Sequence, residues 1–478
     1  MTKKYALAVS VTSVLILLSG AASAAQDNGA SGGTTGGTQT QLRDLARRIE
    51  AMQNELEALK TKDRDLQAKQ DAAAATAASS YVTRGDLPNS FKIPGTDTSV
   101  RIGGYAKLDI VGDVKGNAGG GATSTTSIPL RGSIDEKRSG NWTLQARQSR
   151  LNVETLTPTG WGNLKTYVEG DFYGAGGNEV SSNSTLFRLR HAYGELGPVL
   201  AGQTWTTMYD PASAPETLDF SGPVGAPQSI RQGQLRYTAA LGPGAVSLAL
   251  ENPEGDFFQS THDTFLPANS LYPSNLVDKV PDVAARYTMA GSWGRASLMG
   301  VMRYLTVDNR NAAAINGFRG KESVFGGGLG TMARINTFDK DAVTVALVGG
   351  PGIGRYIFGL GGGANGAYVN AAGQLKTQFA WGGQLGYQHY WSDALRSTVA
   401  YGRNTVDNPG VAQAGAGAAA LNDYVSTLHA NLIWSPVPRA NVGVEYIYAD
   451  RKVNTASTAA LSNKGNASRV QFGFQYSF

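Results

Sequence analysis

The chain has no cysteine and only four histidines in 478 residues. That excludes a disulfide framework and a thiolate metal site, and it leaves little for an imidazole one. A free thiol is a liability in an oxidising compartment, so the absence fits a secreted protein. Long apolar runs are missing too. After the first 24 residues nothing approaches the roughly 18 apolar residues of a membrane-spanning helix. Charge of one sign is scarce: 42 basic residues face 37 acidic ones, and without Lys3 and Lys4 the 40 that remain give a net of +3. They are spread along the chain rather than clustered, so there is no nucleic-acid footprint. Glycine (61) and tyrosine (20) are plentiful, while mean hydropathy is −0.22. A chain of this kind is either a soluble exported protein or a membrane barrel, whose strands are apolar on one face only.

The first residues carry an export signal. Lys3 and Lys4 precede an uncharged apolar stretch, Ala6 to Leu18, and Ala22, Ser23 and Ala24 supply small residues for cleavage. Residues 1–24 are therefore expected to be a signal peptide, with the mature chain starting near Ala25. Residues 25–40 are Gly/Ser/Thr-rich and are expected to form a flexible linker. Then Leu42, Leu45, Ile49, Met52, Leu56, Leu59 and Leu66 follow at steps of three and four, broken only by Asp63. With Leu42 at position a, four heptads read as a coiled coil over residues 41–70. Glu55 and Lys60 would face each other between parallel neighbours. A single amphipathic helix packed on another domain is the alternative, and the core composition does not fix the strand number. Residues 71–99, Ala-rich at first and then Pro/Gly-punctuated, are expected to be a tether; Ala72 to Ser80 can equally prolong the helix.

From residue 100 to 478 the period changes to two. Val470, Phe472, Phe474, Tyr476 and Phe478 alternate with Arg469, Gln471, Gly473, Gln475 and Ser477. Such a strand has one face for lipid and one for a wet lumen. A sandwich strand alternates as well, but a terminal aromatic closing the last strand is a habit of outer-membrane barrels. Arg101, Tyr105, Lys107 and Asp109 oppose Ile102, Gly104, Ala106, Leu108 and Ile110 in the same way, as Lys165, Tyr167, Glu169 and Asp171 oppose Leu164, Thr166, Val168 and Phe172. Short turns (Gly197-Pro198, Gly242-Pro243-Gly244, Pro436-Val437-Pro438) alternate with long connections at residues 115–140, 252–281, 349–374 and 407–422. About sixteen antiparallel strands are expected, an all-β transmembrane barrel behind a short α-helical coiled coil. Arg147 and Arg150 cannot both face the lumen of one regular strand without a bulge, unless Arg147 lies above the membrane band. One connection, Met208 to Ile230, is rich in proline and carries Glu216 and Asp219. It is either a loop folded inward to narrow the barrel or an ordinary surface loop.

Four stretches resemble the DcaP-like outer-membrane porin family: SFKIPGTDTSVRIGGY from Ser90 to Tyr105, continued by Lys107 to Asp109; ARQSRL from Ala146 to Leu151; FRLRHAY from Phe187 to Tyr193; and AGQTW from Ala201 to Trp205. The likeness covers most of the chain, heptads included. It implies a homotrimer in the bacterial outer membrane, in contact with its lipid, with the coiled coil in the periplasm. It also implies uptake of dicarboxylates and other small anions.

The alternation assigns the charged groups. Arg188 and Arg190 share parity, opposite Phe187, Leu189 and Tyr193. A charge facing lipid at mid-depth costs about 2–4 kcal/mol, so both should point inward. By the same argument Arg150, Arg236 and Arg286 line the lumen. A guanidinium holds a carboxylate or phosphate as a planar fork and stays charged. These arginines either bias a water-filled pore toward anions or pair with Asp109, Glu154, Glu169 and Asp171 and merely stiffen the wall. The expected function is an anion-preferring diffusion channel; a non-selective porin, and a tether or adhesin built on the coiled coil, are the other readings. A hydrolase has little to recommend it. His191, His262, His389 and His429 sit in no nucleophile motif, and the run Gly349 to Gly354 lacks the Lys-Ser/Thr of a phosphate loop. No cofactor and no metal is expected.

Overall fold

A computed structural model describes residues 35–478 apart from 126–127, 175–179, 181, 257–276, 311–316, 361–365, 371, 409–421 and 455–460. The expected signal peptide and residues 25–34 lie outside the described residues. The chain divides into two units, residues 1–81 and 82–478.

The first unit is one helix, α1, Thr35–Ser80. It is longer than the heptads. Residues 35–40 of the expected linker and 71–80 of the expected tether are helical, because adding a residue to an existing helix needs no new nucleus and Ala72 to Ala75 favour propagation. Leu42, Leu45, Met52, Leu56, Leu59 and Leu66 are 46–60% exposed, so a single chain leaves the seam uncovered; Ile49 is partly exposed.

The second unit is a closed barrel of sixteen antiparallel strands. They are β1 Ser99–Lys115, β2 in two pieces (Trp142–Gln145 and Arg150–Thr159), β3 Gly162–Asp171, β4 Arg188–Leu196, β5 Val199–Trp205, β6 Arg231–Leu241, β7 Gly244–Glu251 and β8 Asp282–Gly291. They continue as β9 Gly294–Asp308, β10 Lys321–Asn336, β11 Ala342–Pro351, β12 Phe379–Tyr390, β13 Leu395–Val406, β14 Asn422–Trp434, β15 Ala440–Val453 and β16 Lys464–Ser477. Each pairs with the next, and β16 closes on β1, Tyr476 opposite Ala106 and Phe472 opposite Ile110. A two-residue strand, Phe91–Lys92, extends the sheet beside β1. Short turns lie on one rim and long connections on the other, as the turn residues predict.

Alternation is what closes this wall. Leu298, Leu329, Leu347, Leu385, Val399 and Phe474 face outward and are exposed, while Arg469, Gln471 and Glu445 are buried inside. Two departures have physical causes. A register shift between Glu169 and Gly170 leaves Arg190 of β4 as an extra residue, between His191 opposite Glu169 and Leu189 opposite Gly170. Parity changes there, so Arg188 and Arg190 face inward as expected. Tyr193, expected toward lipid, instead faces inward with its ring 5.7 Å from that of Tyr167. The second departure is on β9 and β11, where the inward residues are apolar: Met299, Val301, Ala346 and Val348. They pack with Met208, Ala226, Tyr356, Ile357 and Leu360 from two connections folded into the barrel. Gly349, Gly350 and Pro351, expected at the start of a long loop, belong to β11; that loop holds its own hairpin, Ala367–Val369 with Leu375–Thr377.

Candidate functional site

Residues 206–230, between β5 and β6, turn into the barrel and cross it; the surface-loop alternative is excluded. Prolines 211, 215, 223 and 227 keep the segment from extending as strand, and two of its carboxylates, Asp210 and Glu216, find donors on the inner wall. Asp210 accepts from Arg295 Nε and Ser297 Oγ, both at 2.7 Å. Burial opposes ionisation there, but these donors hold the Asp210 carboxyl below the ordinary range. Glu216 accepts from Arg396 at 2.6 and 2.7 Å and from Gln388 at 2.6 Å. The Leu218 and Asp219 amides donate to Glu445 at 2.6 and 3.3 Å, and His429 Nδ1 lies 2.9 Å from the same carboxylate. Lys107 and Gln471 donate to the Leu218 carbonyl at 2.9 and 3.0 Å. Asp219 is buried, which pushes its carboxyl up, and it accepts from the Thr123 amide at 3.3 Å.

The return leg is clamped by backbone. The Val224 amide donates to Thr427 Oγ1 at 3.0 Å and Gln384 donates to the Pro223 carbonyl at 2.8 Å. Gly225, at φ +87°, lies so close to the carbonyls of Gly383 and Arg403 that a Cβ would overlap both. Gln228 donates to the Tyr356 carbonyl at 2.8 Å and Phe358 to the Ala226 carbonyl at 2.9 Å, so the connection between β11 and β12 backs the loop.

Between this loop and the wall of β2 to β6 remains a cavity of about 370 Å³. The wall contributes Arg150, Arg188, Arg190 and Arg231; the loop contributes Pro215, Phe220, Pro223 and Pro227. Among the described residues no carboxylate lines it. Two acids stand behind the arginines. Asp171 accepts from Arg188 at 2.9 and 3.0 Å and from Arg190 at 2.8 Å; Glu169 accepts from Arg190 at 2.7 Å and lies 3.6 Å from Arg150. Among the described residues Arg231 has no carboxylate within ion-pair distance; it lies over the Trp205 ring at 4.8 Å. Four guanidinium groups against two carboxylates leave a formal excess of two positive charges.

Arg150, Arg188 and Arg190 meet at the cavity. Arg236 and Arg286 do not line it; they flank β7 further round the wall, opposite Ala249 and Ser247, and Arg286 donates to the Tyr209 carbonyl at 2.8 Å. Glu216 and Asp219 lie in the inward loop; Glu216 is anchored on the barrel wall, and Asp219 on the Thr123 amide of the connection between β1 and β2. The cross-strand pairing foreseen for the arginines exists for Glu169 and Asp171, whereas Glu154 pairs with Arg101 and Lys165, and Asp109 with Lys107. Arg231 was missed because it shares parity with the outward Leu235 and Tyr237. It is the first residue of β6, directly after the inward loop, and there its side chain lines the cavity despite that parity. His191 lies 3.0 Å from Thr204 Oγ1, and His389 and His429 pair with Asp341 and Glu445; His262 lies outside the described residues.

Comparisons with known proteins follow the same lines. Porin Omp2b of Brucella canis is 29% identical over 244 residues, 48% of this chain and 57% of that porin, so the match spans little more than half of the relative. The outer membrane channel DcaP of Acinetobacter baumannii superposes with a TM-score of 0.65 at 21% identity, covering 82% of this chain and 100% of that one. An anion-selective porin from Comamonas acidovorans does so with a TM-score of 0.50 at 13% identity, over 80% of this chain and 100% of the other. At these identities the two structures speak for the fold alone. The model of the DcaP outer membrane protein family matches residues 41–478, and the chain belongs to that family.

Proposed function

We propose that this outer-membrane barrel is a passive, water-filled channel that prefers small anions, dicarboxylates among them. The observation that carries the reading is the cavity beside the inward loop, lined among the described residues by four arginines and no carboxylate. Where the lumen is narrowed, low-dielectric walls focus the field of such a cluster. A bias of about 1.4 kcal/mol enriches an anion about tenfold. Weak, multiple contacts attract without trapping, as conduction requires. The competing reading is a non-selective porin, favoured by the ion pairs of Arg188 and Arg190 with Asp171 and Glu169.

Three parts of the proposal concern the rest of the chain. Residues 1–24 are a cleaved leader, residues 41–70 form a periplasmic coiled coil, and the assembly is a homotrimer. The uncovered seam of α1 supports the last two, because apolar positions every three and four residues need a partner. Single proteins in a planar bilayer provide the test. Steady conductance steps in KCl, lowered in proportion to added succinate, are expected. A protein that folds and inserts but carries no current would end the channel reading; undiminished current in succinate would end the dicarboxylate one.

A further inference from the structure

The first residues of the inward loop meet a second basic surface, on the side of the short turns. Strands β8, β9 and β10 direct Arg286, Arg295 and Arg334 to the lumen, on the same inner face as buried Ala284, Ser297 and Met332. Arg295 and Arg334 stand directly opposite each other across β9 and β10. Residues so paired have Cα atoms about 4.5–5.5 Å apart, and like charges there are destabilising unless something offsets them. The loop draws Arg286 to the same place. Its Nη1 donates to the Tyr209 carbonyl at 2.8 Å, while Arg295 Nε donates to Asp210, the next residue, at 2.7 Å.

One carboxylate serves the three. The Asp210 side chain is 2% exposed, against 34% for Arg295, and the oxygen that takes Arg295 also accepts from Ser297 at 2.7 Å and Ser213 at 3.3 Å. Arg334 donates to the neutral Gln388 side chain at 2.5 Å, and Arg286 Nε is buried without a hydrogen-bond partner. The other acids of this sector are engaged elsewhere. Glu216 holds Arg396 and Gln388, Glu251 accepts from Thr206, the Thr207 amide and Gln232, and Asp341 accepts from Tyr387 and His389. Residues 282–308, 321–351 and 379–406, which form the strands and short turns here, are all described. Among the described residues no carboxylate lies within ion-pair distance of Arg286 or Arg334, so the trio carries a formal excess of two positive charges. Met332, two residues before Arg334 on the same face, lines the arginine cavity, as do Tyr209 and Ala214. At the rise of a strand, the second basic surface begins about 7 Å further along the wall.

We propose that Arg286, Arg295 and Arg334 form a second anion station, which takes a carboxylate leaving the arginine cavity and releases it at the rim of short turns, the periplasmic side of bacterial barrels. The inference rests on the proposed anion preference and adds a second site in series to it. Guanidinium forks match carboxylate oxygens. Two weak sites in series also meet a requirement of conduction, because an ion leaves one site readily when a neighbouring site receives it. Anchoring of the loop accounts for Arg295 but not for Arg334, whose donor bond goes to the wall residue Gln388.

The chain has no cysteine, so a single introduced thiol reports on the local field. Thr288 faces inward two residues from Arg286, its hydroxyl 2.9 Å from that of Ser297. In full-length mature Thr288→Cys, anionic sulfonatoethyl methanethiosulfonate should react faster than cationic trimethylammonioethyl methanethiosulfonate, each taken relative to its rate with free mercaptoethanol. Adding Arg286→Gln and Arg334→Gln, which leaves the bond between Arg295 and Asp210, should cut this ratio at least fivefold. Arg286→Lys with Arg334→Lys should keep most of it. Succinate should slow the anionic reagent only while both charges are present. A ratio equal to that of the free thiol, or one indifferent to the Gln pair, overturns the proposal. If the Gln pair does not fold, the ratio in Thr288→Cys alone and its protection by succinate decide the matter. Bilayer recording separates the station from the arginine cavity. With the Gln pair the zero-current potential should keep its sign, while the succinate concentration that halves the current rises at least threefold; an unchanged concentration overturns the station and leaves the cavity's role intact. Cation preference in the wild type itself would overturn both.

Discussion

Arg190 and Arg231 line the same cavity but stand in different electrostatic positions. The Arg190 side chain is 3% exposed and bridges Glu169 and Asp171, which are 8% and 0% exposed. Removing one partner of a buried ion pair strands the other, typically at about 3–5 kcal/mol. Arg190→Gln should therefore lower the barrel's resistance to denaturant as well as its anion preference. Arg231 leaves no carboxylate behind, so Arg231→Gln should shift ion preference while the unfolding midpoint stays put. Equal destabilisation by both would mean that Arg231 has a structural partner. A second residue-scale prediction concerns the turn between β10 and β11. There Asp341 accepts from Tyr387, His389 and the Tyr390 amide, which hold its carboxyl down at about 2. A depressed carboxyl contributes stability above its ordinary value near 4, and the contribution is lost as pH falls through about 2. The thermal midpoint of the wild type should thus fall between pH 4 and 2 relative to that of Asp341→Asn; parallel curves would contradict the assignment.

At the scale of elements, the inward loop acts as a fixed shelf. Glu445 accepts from two consecutive loop amides, from Asn431 and from His429, so its truncation leaves several buried donors unmet. Glu445→Ala should release the loop and give larger, noisier single-channel currents. Gly402 tests the same point sterically, because a Cβ there would overlap the Val224 carbonyl. Gly402→Ala should have a similar effect, and wild-type currents in both variants would show that the loop is held elsewhere. The strands themselves were legible in the sequence wherever lipid and water meet on opposite faces, as along Val470 to Phe478. Legibility failed where something other than water met the inner face. The apolar inward residues of β9 and β11 read as ordinary core because two loops cover them. Bulges were invisible for a different reason: one extra residue, Arg190, flips Tyr193, and no residue type marks the flip. The inward loop announced itself by proline and carboxylates, yet Asp210 and Glu216 turned out to be anchors with donors on the wall, and Asp219 accepts from the Thr123 amide of the connection after β1.

At the scale of the whole molecule, the helix and the barrel raise separate questions. The α1 seam is exposed along its length, and the proposed homotrimer would cover it. Leu45→Asp together with Met52→Asp places charge at consecutive d positions. It should reduce subunit association in native mass spectrometry and leave single-barrel conductance intact; an unchanged subunit number would put assembly in the barrel alone. For the barrel, everything turns on the sign of the field where loop and wall approach. Around the cavity four arginines face two acids, which on the proposed reading favours anions, and the zero-current potential of the wild-type protein across a tenfold KCl gradient reads this directly. The account predicts a potential of the sign given by chloride moving faster than potassium. A potential of the opposite sign would contradict it.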